Sequence, residues 1–156
     1  MKNVVIVGTG TMAAGIAAGF ISQSVPIAIL GRNKEKSTAC LKKAILLSKK
    51  IGISGANADK DDIELEVSQN NGELSSWQNW DQSQWIIETV AEDMPLKREV
   101  FKQLDKKVPA HIPIGSNSSG FPISKIADGL KTANRMLGAH YFMPAEVVPL
   151  VEIVLG

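Results

Sequence analysis

The chain of 156 residues is long enough for one domain with a sizeable core. Its hydrophobic content of 44%, charged content of 21% and net charge of +1 are those of an ordinary globular protein. This charge balance gives no support to a nucleic-acid partner, and no apolar run approaches the roughly 20 residues that cross a membrane. The single cysteine, Cys40, excludes an internal disulfide, so a reducing, cytoplasmic location is expected.

Short β-branched runs alternate along the chain with stretches of helical periodicity. We predict strands at residues 4–7, 27–30, 63–67, 85–90, 112–117, 136–142 and 147–154, the third of them as an edge strand. Helices are predicted at residues 12–22, 34–51, 74–82, 94–106 and 123–130, and the fourth begins with Pro95 in its first turn. This alternation predicts an α/β fold, namely one Rossmann-type domain over residues 1–156 with a doubly wound, mainly parallel sheet and helices on both faces.

The first predicted strand ends in the glycine turn Gly8-Thr9-Gly10, which opens the first helix. Gly8 can make the tight turn, and Gly10 lets the backbone approach a pyrophosphate without an intervening Cβ atom. The helix begins near Thr11 and Met12, where its N–H groups and the positive end of its dipole face the phosphates. A dinucleotide site is therefore predicted at Gly8, Gly10, Thr11 and Met12, in preference to a purely structural turn.

The second predicted strand ends at Leu30-Gly31-Arg32, without the acidic residue that commonly binds the adenine ribose of NAD. A carboxylate there would repel a 2′-phosphate, whereas an arginine can pair with it through two parallel hydrogen bonds. The predicted cofactor is therefore NAD or NADP, with NADP slightly favoured by Arg32. Two alternatives stay open for Arg32: a solvated residue at the start of the helix, or stacking on the adenine of either cofactor.

The glycine turn is the first of five motifs along the chain. It is followed by a strand and helix at 86–101, a serine-rich turn at 116–119, a strand with a histidine at 138–144 and a strand with a glutamate at 150–154. Together they resemble the N-terminal domain of the L-3-hydroxyacyl-CoA dehydrogenases, including the short-chain 3-hydroxybutyryl-CoA enzymes. The resemblance covers the chain from the glycine turn onward, although residues 52–79 are shorter and poorly matched. It implies hydride transfer between a nicotinamide cofactor and the 3-hydroxy or 3-keto group of an acyl-CoA.

The resemblance implies a catalytic role for His140, Glu152 and Ser119. His140 would take the proton of the 3-hydroxyl group, Glu152 would orient the imidazole, and Ser119 would contact the substrate oxygen. The residue types fit this chemistry independently, because a base with a pKa near neutrality is needed and a carboxylate can fix its tautomer. The other histidine, His111, lies in a proline-flanked stretch and is expected to be a solvated surface residue.

The resemblance also implies that Glu92, Lys97 and Asn117 line the cofactor, the first two at its nicotinamide-ribose end. Alternatives stay open for these positions. Glu88 and Glu92 flank a strand end, where they could be solvated or could cap the next helix. Lys97 could be an ordinary cation on the helix surface, and the serines of the turn at 116–119 could serve as turn and N-cap residues.

Three departures from the family pattern bear on function. The acidic ribose position is lost, Met143 stands where the family has an asparagine that touches the nicotinamide region, and the hairpin that reaches toward CoA is shortened. Met143 cannot make the hydrogen bonds of that asparagine. The substrate is therefore left open as an acyl-CoA, an acyl carrier protein thioester or a small free hydroxy acid.

Members of this family continue into a mainly helical domain that supplies substrate contacts and dimerisation. Because the chain lacks that domain, we expect it to be a fragment of a longer, homodimeric protein. The isolated fragment is expected to bind cofactor but to turn over substrate poorly. Two other functions stay open: an NADP-dependent small hydroxy-acid reductase, and a non-catalytic dinucleotide-binding or sensing module. No metal site is predicted.

Overall fold

The computed structural model describes residues 2–51 and 71–156. In chain order the strands are β1 (Asn3–Val7), β2 (Ile27–Gly31), β3 (Asn71–Glu73), β4 (Ser83–Glu88), β5 (Ile114–Ser116), β6 (Met136–Tyr141) and β7 (Val151–Leu155). The helices are α1 (Thr11–Ser22), α2 (Lys34–Ile51), α3 (Met94–Lys107) and α4 (Ile123–Ile126), with 3-10 turns at Trp80–Gln82 and Ala133–Arg135. The predicted edge strand at 63–67 lies outside the described residues.

The described strands form one sheet in the order β3-β2-β1-β4-β5-β6-β7. The six strands from β3 to β6 in this order are parallel, and β7 pairs antiparallel with β6 at the edge. The chain runs outward from β1 to β3 and then crosses back to β4 on the other side of β1. The strand order therefore reverses between β1 and β4, where ligands bind in such sheets, beyond the carboxyl ends. This topology confirms the predicted Rossmann-type fold.

The side chains of β1 divide between the two faces of the sheet, as strand geometry requires. Val5 and Val7 pack on one face with apolar residues of α3 and α4, whereas Val4 and Ile6 pack on the other face with α1 and α2. Each of the four is at most 3% exposed. Helices therefore cover both faces of the sheet, and the loops at the carboxyl ends of its strands are left to build a site.

The segment between β3 and β4 differs from the sequence prediction. The helix predicted at 74–82 is wrong, because the Leu74 N–H donates to the Gly31 carbonyl at 3.0 Å and so continues the ladder between β3 and β2. Only the 3-10 turn at Trp80–Gln82 is helical, and its Trp80 indole N–H donates to the Trp77 carbonyl at 2.9 Å. Both tryptophans pack with the core on the α3 face.

Two elements near the end of the chain are shorter than predicted. α4 ends at Ile126 instead of residue 130: Ala127 is its C-cap, and Gly129, two residues further on, has a left-handed backbone with φ +76°. β7 begins at Val151 instead of residue 147, because a turn precedes it in which the N–H groups of Val147 and Val148 donate to the Pro144 carbonyl at 3.0 Å. All five residues of β7 are exposed at the edge of the sheet.

Candidate active site

The glycine turn lies at the carboxyl end of β1, next to the switch point of the sheet. Gly8 has φ +133°, and a Cβ atom there would collide with Thr89 Oγ1 and lie 2.9 Å from the Thr89 carbonyl carbon. A Cβ atom on Gly10 would meet nothing within 4 Å. Gly8 is therefore required by the fold, whereas Gly10 is exposed and leaves open space beside the backbone.

The N-terminus of α1 begins immediately after this turn. Gly10 occupies the N-cap position and supplies no side-chain hydrogen bond, and the first turn of α1 contains no acidic residue. The first N–H groups of a helix, here those at Thr11 and Met12, have no partner within the helix. The N-terminus of α1 thus keeps its positive dipole end and its N–H groups available to a phosphate group.

His140 lies near the carboxyl end of β6 and contacts both of its predicted catalytic partners. The antiparallel register places His140 opposite Glu152 of β7, with Nδ1 3.4 Å from Glu152 Oε2. Its Nε2 atom lies 2.9 Å from Ser119 Oγ. If the Nδ1–H donates to the carboxylate, Nε2 is left as the acceptor on the Ser119 side. The structure thus brings the three residues into one line, Glu152–His140–Ser119.

The burial of these residues changes along that line. The side chain of His140 is 21% exposed, whereas that of Glu152 is 59% exposed. Ser119 is also exposed. The imidazole in the middle of the line is therefore held within the protein by its neighbours, including the Phe142 ring at a centroid distance of 4.6 Å, while both ends of the line are exposed to solvent.

The serine turn, residues 116–119, is fastened by Glu92. Glu92 Oε1 accepts hydrogen bonds from Ser118 Oγ and from the Gly120 N–H, the latter at 3.2 Å. Its other oxygen lies 3.3 Å from Lys97 Nζ. Partial burial by itself would raise the pKa of Glu92, but the bonds from Ser118, Gly120 and Lys97 outweigh it and lower that pKa below its ordinary value. Glu92 is therefore ionised at neutral pH, and it is 46% exposed at the site.

Glu88 and Lys97 form an ion pair beneath the serine turn. Their side chains are 0% and 1% exposed, and Lys97 Nζ lies 2.9 Å from Glu88 Oε1 and 3.2 Å from Oε2. Glu88 also accepts from the Val90 N–H and from Ser116 Oγ, both at 2.6 Å. The alternatives of a solvated Glu88 and a surface Lys97 are therefore wrong, because each buried charge needs a partner and finds the other.

Asn117 connects the ends of three neighbouring strands. Its N–H donates to the Glu88 carbonyl at 2.8 Å, and its side-chain oxygen accepts from the Tyr141 N–H at 2.8 Å. The side-chain carbonyl is thus engaged with β6, and the amide NH2 is the part of Asn117 that could meet a cofactor. Its predicted cofactor contact stays a prediction.

Four further residues were singled out from the sequence. Arg32 is exposed at the carboxyl end of β2, as expected of a residue that meets solvent or a ligand. His111 is exposed, which confirms the expectation of a surface residue. Met143 is 68% exposed in the loop after β6. Cys40 is buried in α2, where burial, opposed in part by Lys43, raises the pKa of its thiol to about 11.

Residues 3–156 match the family described as 3-hydroxyacyl-CoA dehydrogenase, NAD binding domain. The chain belongs to this family. Among curated relatives, it is 32% identical over 99% of its length to a peroxisomal fatty acid beta-oxidation multifunctional protein, MFP2, of Arabidopsis thaliana. It is 29% identical over its full length to a probable 3-hydroxybutyryl-CoA dehydrogenase of Bacillus subtilis. Its fold matches that of M. tuberculosis FadB2 with a TM-score of 0.82 and 29% identity over 98% of the chain.

The chain spans only part of the length of these relatives. The chain spans 21% of the Arabidopsis protein, 54% of the Bacillus protein and 53% of the FadB2 chain. Within residues 2–51 and 71–156, no helix is long and apolar enough to cross a membrane. The same residues contain no group of three or more His, Cys, Asp or Glu side chains that could hold a metal ion.

Proposed function

We propose that the chain is the cofactor-binding and proton-transferring part of a 3-hydroxyacyl-thioester oxidoreductase. The observation that carries this proposal is the line Glu152–His140–Ser119, with Nδ1 3.4 Å from the carboxylate and Nε2 2.9 Å from the serine hydroxyl. This line lies at the carboxyl ends of the parallel strands, where Gly8 and Gly10 follow β1. A base that a carboxylate orients, on the same side of the sheet as a dinucleotide turn, can take the proton of an alcohol as its hydride leaves.

The residues present fit a dinucleotide. The open space beside Gly10 and the unobstructed N-terminus of α1 suit a pyrophosphate at Gly8, Gly10, Thr11 and Met12. Glu92 is ionised and partly exposed, so its carboxylate can accept from a ribose hydroxyl at the nicotinamide end. The chemistry that the nicotinamide supplies when bound is the acceptance or donation of a hydride.

His140 handles the proton of this reaction. In the oxidising direction, Nε2 takes the proton of the substrate 3-hydroxyl group, and Glu152 stabilises the imidazolium that forms. Ser119 Oγ, within hydrogen-bond distance of Nε2, holds the substrate oxygen beside the imidazole. In the reducing direction, the imidazolium returns the proton to the 3-alkoxide. The relatives named for 3-hydroxybutyryl-CoA support an acyl-CoA as the substrate.

NADPH is proposed to be accepted as well as NADH. A Cβ atom on Gly31 would lie 2.7 Å from both Ser37 Oγ and Thr9 Cγ2, so the usual acidic side chain has no room at this position. The exposed Arg32 follows directly, and the exposed Lys34 and Lys36 lie on the first turn of α2. Three cations near one ribose position suit a 2′-phosphate.

The proposed function is tested by a single-turnover assay with the chain in excess over NADH. We expect acetoacetyl-CoA to oxidise the bound NADH, followed by its absorbance, while pyruvate and other small keto acids react more slowly. Binding of NADH without oxidation by any of these substrates would favour the sensing module instead. Failure of the chain to bind either NADH or NADPH would refute the proposal.

The cofactor preference is tested separately by fluorescence titration of both reduced cofactors. We expect Arg32→Ala to weaken NADPH binding by about tenfold or more, the value of one good charge-assisted contact, and to leave NADH binding unchanged. Lys50→Ala, on an exposed residue at the far end of α2, is the matched control. Equal losses for the two cofactors, or no loss for NADPH, would contradict a 2′-phosphate contact at Arg32.

The expected homodimer and cytoplasmic location stay predictions.

A further inference from the structure

The carboxyl end of β3 lies beside the position at which an acidic residue usually binds the adenine ribose. That position is Gly31, the last residue of β2, and its register partner is Glu73, the last residue of β3. We propose that Glu73 supplies from β3 the carboxylate that β2 lacks, and that it accepts a hydrogen bond from the adenine-ribose 2′-hydroxyl of NADH. This inference rests on the proposed function as far as the binding of a dinucleotide, and not on the transfer of a hydride.

The alternation of side chains along β3 places Glu73 on the face that α2 covers. Thr38 of α2 donates a hydrogen bond to Asn71 Oδ1 at 3.3 Å, so Asn71 lies on that face. The next residue points the other way, because a Cβ atom on Gly72 would lie 3.0 Å from the Trp77 ring in the core on the α3 face. Glu73 follows two residues after Asn71 and therefore shares its face.

The end of β2 faces the same way as Glu73. A Cβ atom on Gly31 would lie 2.7 Å from both Ser37 Oγ of α2 and Thr9 Cγ2 of the glycine turn. A side chain on Glu73 starts about one strand spacing, roughly 4.8 Å, from that of the missing acidic residue. A glutamate side chain and a hydrogen bond can together cover this distance. Glu73 can therefore reach the same ribose position without occupying the crowded space at Gly31.

The backbone of Glu73 is fixed, whereas its carboxylate is free. Its main-chain carbonyl accepts from the Trp77 N–H at 3.0 Å, and the N–H of the next residue, Leu74, donates to the Gly31 carbonyl at 3.0 Å. Within residues 2–51 and 71–156, the side chain of Glu73 makes no hydrogen bond or ion pair. It is half-buried. Its two oxygen atoms thus keep their acceptor capacity for a donor such as a ribose hydroxyl group.

Glu73 and Arg32 then divide the recognition of the two cofactors between them. Arg32 directly follows Gly31 and is exposed, so it can pair with a 2′-phosphate. The carboxylate of Glu73 accepts from a 2′-hydroxyl but repels a phosphate at the same place. Glu73 is thus the residue that favours NADH, and Arg32 is the residue that admits NADPH.

A cycle that combines a residue change with a ligand change tests this contact by titration calorimetry. The ligands are ADP, which carries the adenine ribose, and 2′-deoxy-ADP, which lacks the hydroxyl group. Glu73→Ala should weaken ADP binding by about tenfold or more, the value of a hydrogen bond to a charged group. Loss of the 2′-hydroxyl should cost wild type a similar factor and should cost the variant nothing further, because the two changes remove one interaction. Urea unfolding checks that each variant is folded.

The charge of Glu73 gives a second readout with the intact cofactors. Glu73→Gln, which removes the charge and keeps the shape, should bind NADPH about fivefold more tightly, the effect of two like charges roughly 4 Å apart in water. The matched control is Glu35→Ala, which removes an exposed carboxylate from the first turn of α2 and should leave ADP and NADH binding unchanged.

Three results would overturn the assignment of Glu73. They are wild-type ADP affinity in Glu73→Ala, a 2′-hydroxyl effect as large in that variant as in wild type, and equal losses in Glu73→Ala and Glu35→Ala. A wild-type chain that binds none of these nucleotides would refute both this assignment and the proposed function. A wild-type chain that binds NADH but never oxidises it would refute the proposed function alone, and the cycle with ADP would still decide the role of Glu73.

Discussion

The site has a buried floor and an exposed rim, and both contain a carboxylate paired with a cationic or basic side chain. In the floor, formed by Gly8, Glu88, Lys97 and Ser116, the charged atoms lie 2.9 Å apart out of contact with water. In the rim, formed by Glu92, Ser119, His140 and Glu152, His140 and Glu152 are 3.4 Å apart and the carboxylate is 59% exposed. A carboxylate paired with a cationic or basic side chain therefore serves stability in the floor and reactivity in the rim.

The difference follows from solvation. A buried charge without its partner cannot be rescued by water, so the floor pair is obligatory for the folded state. The rim carboxylate of Glu152 is exposed, so solvent and salt screen its pairing with His140, and the pair contributes little to stability. Substitutions in the floor should therefore lower stability, and substitutions in the rim should lower reactivity at nearly unchanged stability.

The largest expected effect on stability comes from breaking the floor pair. Lys97→Met should lower the free energy of unfolding by about 3–5 kcal/mol, because Glu88 stays buried without a cation. Lys102→Met, on the exposed side of the same helix, should change it by less than about 0.5 kcal/mol. Urea unfolding of the two variants measures both values. A loss below about 1 kcal/mol for Lys97→Met would mean that the floor pair does not hold the fold as described.

The second effect concerns the backbone of the floor. Gly8→Ala should lower the free energy of unfolding by roughly 2–4 kcal/mol, since the new Cβ atom meets Thr89 and the φ angle is positive. Gly10→Ala is the matched control, because its Cβ atom meets nothing within 4 Å. Its stability should change by less than about 1 kcal/mol, while NADH binding should weaken. Equal stability losses in the two variants would contradict the division of roles between the glycines.

A smaller effect is expected at Glu92, which links floor and rim. Because its pKa is lower in the folded chain than its ordinary value of 4.5, it contributes stability above that value. This contribution is lost as the pH falls through the lower, folded pKa. The difference in unfolding free energy between wild type and Glu92→Gln should therefore be largest at neutral pH and should close in strong acid. A difference that does not depend on pH would show that the charge of Glu92 is not what fastens the serine turn.

The smallest effect on stability is expected at the rim carboxylate. Glu152→Gln should change the free energy of unfolding by less than about 0.5 kcal/mol, as is usual for an exposed ion pair. The same variant should slow the single-turnover oxidation of NADH, since the imidazolium loses its stabilising charge. Thermal unfolding and the turnover assay are measured on one preparation. A large loss of stability would place Glu152 among the structural residues and blur the contrast between floor and rim.

Elements with a strong local pattern could be predicted from the sequence. α2 has the predicted bounds, and α3 begins as predicted at Met94, where Asp93 caps it by accepting from the Leu96 N–H at 2.8 Å. β3 could not be predicted, because Asn71-Gly72-Glu73 contains no apolar residue. It is a strand only through its backbone pairing with β2, a contact between segments that are distant in sequence.

The site was predictable to a similar degree. His140, Glu152 and Ser119 were identified from motifs, and the cross-strand register brings the first two together. The pairing of Glu88 with Lys97 was not foreseen, because it depends on how α3 packs over β4. One signal was present: a glutamate within the buried run of β4 requires a buried partner. Among the five cationic residues of α3, Lys97 is the one that shares a helix face with the buried Val100, Phe101 and Leu104.

The central claim, that His140 transfers the substrate proton in a nicotinamide-binding domain, is tested most directly by His140→Ala. NADH affinity and the single-turnover rate with acetoacetyl-CoA are measured for wild type and variant. The account predicts unchanged NADH affinity and a rate lower by a factor of about 10²–10⁴, the usual contribution of a general acid–base group. A His140→Ala chain that oxidises NADH at the wild-type rate would contradict it.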